Sequence, residues 1–513
     1  MTEQPAPGAP ASSLPATRRS PWTWVPTLYF AQGIPYVVVM TVSVIMYKRL
    51  GLSNADIALY TSWLYLPWVI KPLWSPFVDM FGTKRAWIVW LQMVLGIALA
   101  GAALSISLPS FLQFSLVVFG LMALSSATHD IAADGFYMLS LDQPTQAAFV
   151  GVRSTFYRIA MWAGQGALVV VAGSLEPRFG IPRAWSFTFA FAAVIFLSLF
   201  GYHYFILPRP AEDRGSLAGK RMTAKQIAIL AGGFVAVVAV LMGAYFGLHA
   251  LFLASGLAGI WATVLSIMVL VGAVVVGLRT KVAAWIESRG GKPANEALDP
   301  FVEFLRAFVL FLKKDNIWVV LGFLLLYRFA EAQLVKLVQP FLLDPRDKGG
   351  LGLTTGDVGI VYGTIGIIAL TVGGLLGGYV ISKKGLRWWL WPMVIIMHLP
   401  DLAFVYLSQV QPENIFLISA AVGFEQFGYG FGFTAYMMYM IMISQGDYKT
   451  AHYAVCTGFM ALGMMIPGMF SGALQETIGY QGFFLWVLLS TIPGFVVAAL
   501  VKIPKEFGRK AEV

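Results

Sequence analysis

The chain has 513 residues, of which 58% are apolar and only 12% are charged, and its mean hydropathy is +0.75. A soluble protein could not bury so much apolar surface, so the composition predicts a protein surrounded by lipid. The net charge of +10 does not indicate nucleic-acid binding, because the basic residues lie in loops between apolar segments and not on one soluble face.

Motifs of covalent chemistry are absent from the sequence. It contains no His-Glu-x-x-His zinc motif and no Gly-rich phosphate loop ending in Lys-Ser or Lys-Thr. We therefore expect no enzymatic activity, no metal and no cofactor. The single cysteine, Cys456, excludes an intramolecular disulfide. Transport driven by an ion gradient is the function that we predict instead.

In chain order, the sequence predicts a disordered tail over residues 1–20 and a first bundle of six helices over 21–208. Apolar length and helix breakers place these six spans at 22–46, 57–80, 86–108, 111–139, 148–174 and 184–207. Residues 209–316 hold two additional spans, 225–250 and 257–278, and a cytoplasmic linker helix that begins at Asp299. A second bundle over 317–503 has spans at 317–343, 357–382, 387–408, 414–443, 450–474 and 481–502, before a cytoplasmic tail at 504–513.

An internal repeat relates the two bundles at an offset of about 300 residues. Residues 51–57 match 352–358, and 175–180 match 474–479. Two six-helix bundles related in this way are typical of the major facilitator fold, in which the solute binds near the middle of the membrane. We predict an all-α membrane protein with this fold, 12 core helices and two extra helices between the bundles, 14 in total.

The distribution of Lys and Arg residues predicts the orientation, since loops rich in them stay in the cytoplasm. Most loop Lys and Arg residues fall on one side, so we expect both termini in the cytoplasm and the protein in the bacterial inner membrane. The loop between the second and third helices contains Asp79, Gly82, Lys84 and Arg85. It resembles the cytoplasmic gating-loop motif of the major facilitator superfamily, although an ordinary basic loop would look similar.

Charged residues inside the predicted spans are the most informative. An ionised side chain in mid-membrane costs about 2.5–3.5 kcal/mol, so each needs a partner or a function. Away from their ends, the spans contain five cations and five anions: Lys71, Arg153, Arg158, Arg328, Lys336, Asp130, Asp134, Glu331, Asp401 and Glu425.

Asp130 and Asp134 lie four residues apart, so they project from one face of the fourth helix. Two carboxylates this close in a poorly solvated place suit a group that binds and releases protons, and we predict proton coupling there. The alternative is that both simply pair with Lys71 or Arg158 and brace the first bundle.

The remaining charges are candidates for a solute site. Arg153 and Arg158 point about 140° apart on their helix, so one is expected to pair while the other faces the cavity. Arg328 and Glu331 lie three residues apart and could either form a local ion pair or contact the solute.

A segment of glycines and aromatic residues supplies three further candidates. Glu425, Gln426 and Tyr429 could contact a sugar or a peptide, whereas close helix packing alone explains the glycines around them.

Several segments resemble the AmpG muropeptide permeases and the related acetyl-coenzyme A transporters. Residues 66–79 are similar to the second-helix signature of that family. Residues 129–135, 157–158, 326–331 and 352–378 also resemble AmpG. The resemblance covers both bundles, and the two inserted helices match the fourteen-helix layout of the family.

The resemblance implies proton-coupled import of anhydromuropeptides, which are disaccharide and peptide fragments of peptidoglycan, from periplasm to cytoplasm. Such import serves cell-wall recycling and induction of β-lactamase. Glu331 and His129 stand where the family pattern has Asp and Gln. Two alternatives stay open: a transporter of the same fold for another solute, such as an acyl-coenzyme A, a siderophore or a sugar, and a non-transporting scaffold. The expected partners are the solute, protons and lipid, and the expected state is a monomer.

Overall fold

The computed structural model describes residues 19–211, 213, 224–288, 299–446 and 448–509, and within these ranges every regular element is a helix. The prediction of an all-α protein is therefore confirmed. The tail predicted to be disordered lies almost entirely outside the described residues.

The first half of the chain forms six long helices. They are α1 (Pro21–Arg49), α2 (Asn54–Trp63, continuing as Leu66–Met80), α3 (Lys84–Ser105), α4 (Phe111–Ser140), α5 (Pro144–Phe179) and α6 (Ile181–Ile206). Polar caps fix two of their starts, since the Ser53 hydroxyl accepts a hydrogen bond from the Asp56 amide and the Thr83 hydroxyl accepts one from the Ala86 amide.

The middle of the chain forms three helices, α7 (Ala224–Ala254), α8 (Gly259–Ser288) and the linker helix α9 (Asp299–Leu312). Most α7 residues from 236 to 254 are exposed, as expected of a helix that faces lipid. The linker helix docks on the second half, because the Ala307 carbonyl lies 3.1 Å from Nε2 of His452 and Lys314 donates to the Gln445 carbonyl at 3.1 Å.

The second half again forms six long helices. They are α10 (Ile317–Leu343), α11 (Thr355–Lys384), α12 (Leu386–Val410), α13 (Ile415–Ile443), α14 (449–478) and α15 (480–500). The last two are separated by Gly479, whose φ of 70° is a left-handed conformation that favours glycine.

The described residues include 11 helices long and apolar enough to cross a bilayer, with Lys449–Leu500 counted once. Lys449–Leu500 comprises two helices, α14 and α15, and α2 and α13 are not among the 11. With these three additions, the described residues hold 14 long helices besides the linker helix, as predicted. Their ends lie within a few residues of the predicted ones at most positions. The largest extensions are in α5 and α8, and in α8 the π-helical turn Leu278–Val282 continues the helix past its predicted end.

The two halves meet mainly through α2 against α14 and α5 against α11. Where α5 and α11 meet, each has a π-helical turn, at Ala163–Leu168 and Val361–Gly366. A Cβ added to Gly363 would lie 2.0 Å from the Gln165 carbonyl oxygen. A Cβ added to Gly472 in α14 would likewise lie 2.0 Å from the Asn54 carbonyl oxygen. Glycine therefore permits close backbone approach at both interfaces.

We predict that Gly363→Ala and Gly472→Ala each destabilise the contact between the halves by about 1–3 kcal/mol, because the added methyl overlaps backbone of the other half. Thermal unfolding of the purified variants in detergent measures the effect. Gly120→Ala is the matched control, since nothing lies within 4 Å of its Cβ position. Equal unfolding temperatures for all three variants would contradict the close approach.

Candidate functional site

In the first half, Asp130 of α4 pairs with Lys71 of α2. Oδ2 of Asp130 lies 3.6 Å from the Lys71 ammonium and accepts a hydrogen bond from Nε1 of Trp68 at 3.2 Å. Both charged side chains retain some exposure. The pair therefore joins two helices of one half while keeping access to solvent.

Asp134, one turn along α4, pairs with Arg153 of α5. Its Oδ1 lies 2.7 Å from Nη2 of Arg153 and accepts a hydrogen bond from the Tyr29 hydroxyl at 3.2 Å. The Arg153 guanidinium also lies over the rings of Tyr29, at 4.4 Å, and Tyr137, at 5.0 Å. The Asp134 side chain is 42% exposed, so this charge is reachable from water.

Arg158 does not share this arrangement. Nη1 is buried without a hydrogen-bond partner, and no carboxylate of the described residues lies within 4.0 Å of its guanidinium. Nη2 ends 3.0 Å from the Cβ position of Gly374, on α11 of the other half. Arg158 therefore reaches across the interface and presents an unused donor there.

Arg328 is the corresponding cation of the second half, at a break in α10 between Leu326 and Phe329. It donates to the Tyr429 hydroxyl, and its guanidinium lies 5.1 Å from the ring centre of Tyr429 and 4.7 Å from that of Phe433. Its Nε is buried without a hydrogen-bond partner. This guanidinium is held by aromatic rings of α13 and not by a carboxylate.

Arg328 and Glu331 do not form the ion pair that their spacing allows. Oε1 of Glu331 is buried without a hydrogen-bond partner, and the two charged groups lie beyond the 4.0 Å salt-bridge distance. The helical break explains the difference, because residues three apart face each other only along a continuous helix.

Glu425 and Gln426 lie together on α13, where Nε2 of Gln426 donates to Oε2 of Glu425 at 2.9 Å. The other Glu425 oxygen is buried without a hydrogen-bond partner. The glycines of this segment serve packing, since a Cβ on Gly430 would lie 2.2 Å from the Leu370 carbonyl oxygen.

Two histidines have structural neighbours. Nε2 of His129 lies 3.0 Å from Nε2 of Gln92, whose Oε1 lies 2.8 Å from Nδ1 of His203. Nδ1 of His398 lies 3.7 Å from Asp401, and both oxygens of Asp401 are buried without a hydrogen-bond partner. The sequence gives no indication of the contacts of His129, whereas His398 and Asp401 lie only three residues apart in it.

The loop predicted to act in gating is tied to its own half. The amides of Lys84 and Arg85 donate to Asp213 at 2.6 and 3.0 Å, and Nε of Arg85 donates to the Leu207 carbonyl at 3.2 Å. Gly82 has a φ of 69°, which lets the chain turn sharply. The side chain of Asp79 lies outside the described residues.

At the predicted outer end, α1 and α2 contact the second half through a polar network that we call the outer latch. Oδ1 of Asp344 lies 2.6 Å from the Lys48 ammonium, and Oδ2 accepts a hydrogen bond from the Tyr480 hydroxyl at 2.7 Å. Asn54 donates to Gln475 at 2.6 Å and to Tyr480 at 2.8 Å. The latch therefore joins the halves at this end.

A second set of contacts, related to the first by the internal repeat, joins α5 and α11. Glu176 accepts a hydrogen bond from the Thr355 hydroxyl at 2.9 Å and pairs with Arg49 at 2.8 Å. Asn54 and Thr355 occupy matching positions of the repeat, and their partners Gln475 and Glu176 lie in the other matching pair of segments. The internal repeat is the feature of the sequence from which these contacts could have been predicted.

Comparisons with known proteins agree with this architecture. Residues 32–276 match the model of the BT1 family. A Rickettsia conorii protein named AmpG 4, described as a candidate transporter, is 23% identical over 483 residues, which cover 92% of this chain and 94% of that protein. A Rickettsia bellii protein named AmpG 1, also a candidate transporter, is 30% identical over 184 residues, or 36% of this chain and 43% of that one.

Solved structures show the same fold. A crystal structure of the nucleoside transporter NupG superposes with a TM-score of 0.59 at 15% identity and covers 93% of this chain and 99% of that chain. An auto-inhibited peptide transporter of the POT family gives a TM-score of 0.62 at 12% identity, with coverages of 94% and 97%. The chain is a membrane transporter with the major facilitator fold. The fold prediction and the resemblance to AmpG are therefore confirmed, as is the expectation that the transporter is not an enzyme.

The Arg153–Asp134 pair of this transporter should couple strongly in a double-mutant cycle. Arg153→Gln leaves the Asp134 carboxylate without its cation, so we expect it to destabilise the protein by about 1–2 kcal/mol, less than for a fully buried pair because Asp134 is 42% exposed. Asp134→Asn in the same chain should restore much of the loss. Thermal unfolding of the single and double variants measures the coupling.

The exposed ion pair between Lys313 and Glu287 is the matched control. We expect a coupling energy of about 0–1 kcal/mol there, because solvent screens an exposed pair. Equal coupling in the two cycles would show that the Arg153–Asp134 pair is no more than a surface contact.

Proposed function

We propose that the transporter imports anhydromuropeptides from the periplasm to the cytoplasm, together with protons, for recycling of peptidoglycan. The observation that carries this proposal is the pair of guanidinium groups between the halves. Arg158 and Arg328 each hold a buried N–H without a hydrogen-bond partner, and no carboxylate of the described residues lies within 4.0 Å of either. Guanidinium groups in this condition suit the carboxylates of a solute.

The surroundings of Arg328 support a solute that also carries sugar rings. Tyr429 and Phe433 place two aromatic faces beside the guanidinium, and Gln426 and Glu425 lie on the same helix. Aromatic faces pack against sugar rings while amide and carboxyl groups bond to hydroxyls. The similarity to proteins named AmpG along 92% of the chain favours muropeptides over other solutes of this kind.

We assign proton coupling to Asp130 and Asp134. Protonation of either carboxyl cancels its charge, so the attraction to Lys71 or Arg153 would be lost and the helices of the first half could move. The exposure of Asp134 gives protons a route to this site. Arg158, proposed for the solute, and Arg153, the partner of Asp134, both lie on α5, so solute and proton would then act on the same helix.

The proposed direction follows from the basic residues. Lys84 and Arg85 at the start of α3 and Lys383 and Lys384 at the end of α11 border loops that positive charge would retain in the cytoplasm. Both termini would then be cytoplasmic, and the outer latch would face the periplasm of a bacterial inner membrane. The transporter is expected to act as a monomer.

Uptake into proteoliposomes tests the substrate. We expect labelled anhydromuropeptide to accumulate when the outside is acidic, and an ionophore that dissipates the pH gradient to abolish the accumulation. Acetyl-coenzyme A, a siderophore and a free sugar form the comparison panel. Saturable uptake of one of these but not of the fragment would sink the proposed substrate while leaving a transporter of another solute.

Asp130→Asn and Asp134→Asn test the coupling. Each should lower gradient-driven accumulation by about tenfold, equivalent to 1.4 kcal/mol. Exchange of labelled for unlabelled solute should persist, because an amide cannot carry the proton but still fills the space. Glu287→Gln, which alters an exposed pair, is the control. If both aspartate variants accumulate solute as the wild type does, protons bind elsewhere, and Glu331→Gln and Glu425→Gln become the next variants to measure.

A further inference from the structure

Lys336 is a buried cation that the proposed site does not use. It lies on α10, and its Nζ donates to the Thr61 hydroxyl of α2 at 2.9 Å, across the interface between the halves. The ring centre of Tyr65 lies 5.2 Å from the same nitrogen. Lys336 is only 4% exposed, so the ammonium is enclosed by both halves.

The partners of this ammonium are all neutral. Thr61 gives its own hydroxyl hydrogen to the Ile57 carbonyl at 2.6 Å, and it accepts one of the three Lys336 N–H groups. Among the described residues, no carboxylate lies within 4.0 Å of this Nζ. Lys48 and Lys71, in contrast, each have an aspartate within that distance.

A hydroxyl group and an aromatic face only partly offset the lost hydration of a buried ammonium. Retaining a lysine here therefore needs a reason other than stability. A leucine or methionine of similar volume would fill the same space at lower cost.

The neighbourhood of Lys336 holds a further unused polar group. The Ser62 hydroxyl is buried without a hydrogen-bond partner. It lies 2.8 Å from the Cβ position of Gly468 in α14, and Cε of Lys336 lies 3.3 Å from the same position. The missing side chain of Gly468 thus leaves Ser62 and Lys336 on the two sides of one narrow space.

The distance of Lys336 from the outer latch follows from the helix geometry. Thr61 follows Asn54 by seven residues and Lys336 precedes Asp344 by eight, so the pair lies about 10–12 Å inward from the latch at 1.5 Å per residue. Because Thr61 and Lys336 belong to different halves, separation of the halves at the outer end must break their hydrogen bond. The ammonium would then line the opened cavity.

We propose that Lys336 is a further anion-binding residue of the transporter, which holds a carboxylate of the incoming solute when the outer end is open and bonds to Thr61 when it is closed. The inference rests on the proposed transport of a carboxylate-bearing solute, and it adds a third cation to Arg158 and Arg328. Thr61 acts as the neutral acceptor that replaces the carboxylate once the solute has moved inward. Phosphate groups have related chemistry, so the test includes them.

The first experiment compares initial uptake by the full chain in proteoliposomes for two fragments, anhydromuropeptide and the same fragment with its peptide carboxyl groups amidated. Lys336→Met should raise the half-saturating concentration of the carboxylate form by about tenfold, while the amidated form changes little. Lys336→Arg keeps the charge and should retain most of the preference. Thr61→Val is the matched control, because it removes the neutral acceptor and leaves the ammonium in place, so it should preserve the preference.

Equal losses for both fragments in Lys336→Met would overturn the proposal, because they would show a structural role only. If acetyl-coenzyme A is transported and Lys336→Met weakens it alone, the residue binds phosphate and the carboxylate assignment is wrong. Thermal unfolding of each variant confirms that the protein is folded.

A second experiment does not depend on the solute. Lys336→Cys in a Cys456→Ser background is treated from the outside with a membrane-impermeant thiol reagent, with and without Asp344→Asn to weaken the outer latch. We expect labelling of Lys336→Cys to rise several-fold when the latch is weakened. A negatively charged reagent should react faster with Ser62→Cys in the same background, where the Lys336 ammonium remains, than with Lys336→Cys, where it is removed. If position 336 stays unlabelled while Ser62→Cys is labelled, the inference fails. Failure of fragment uptake alone, with labelling as expected, would refute the proposed substrate and not the accessibility of Lys336.

Discussion

An ionised side chain inside a membrane is stable only beside a group that offsets its lost hydration, and this constraint organises the whole transporter. The first half meets it with ion pairs, Lys71 with Asp130 and Arg153 with Asp134. The second half does not, since Glu331 and Glu425 have no cation within salt-bridge distance among the described residues and each keeps an unpartnered oxygen. A carboxyl buried in this way costs less when it carries a proton. Apart from Arg158, the first half thus holds opposite charges in contact, whereas the second half presents carboxyls and an arginine that are held apart.

The internal repeat explains why the contacts at the outer end come in two sets. Each half contributes the start of one helix, at Asn54 or Thr355, and the end of another, at Glu176 or Gln475. The helix starts are fixed by their own caps, because Ser53 and Thr354 accept hydrogen bonds from amides in the first turn. Capping leaves the next side chain free to bond across the interface. The start of α2 can therefore contact the end of α14, and the start of α11 can contact the end of α5, without any change in local structure.

The sequence predicted the helices well and their partners poorly, for physical reasons. Apolar length and caps are local properties, so the ends of α4 and α10 lie at or beside the predicted residues. The choice of Arg153 over Arg158 as the partner of Asp134 depends on how α4 and α5 are rotated against each other, which periodicity does not determine. The expected contact of Arg328 with Glu331 assumed a continuous helix, and the break after Leu326 removes that geometry. The acceptor of Lys336 lies 275 residues away in sequence and had no local signal.

Under the proposed mechanism the outer latch must open in every transport cycle, and its polar chemistry suits such a contact. Apolar packing of similar area would separate only at a high cost, whereas each hydrogen bond of the latch contributes about 0.5–1.5 kcal/mol net, since water replaces the lost partner. A latch of this kind holds a few kcal/mol in total, comparable with the roughly 4–8 kcal/mol of millimolar to micromolar binding. Binding of a solute can therefore shift the balance between closed and open states, provided that it favours one of them. On the proposed role, Lys336 supplies such a preference, because a carboxylate reaches its ammonium only when the halves separate and the hydrogen bond to Thr61 is broken.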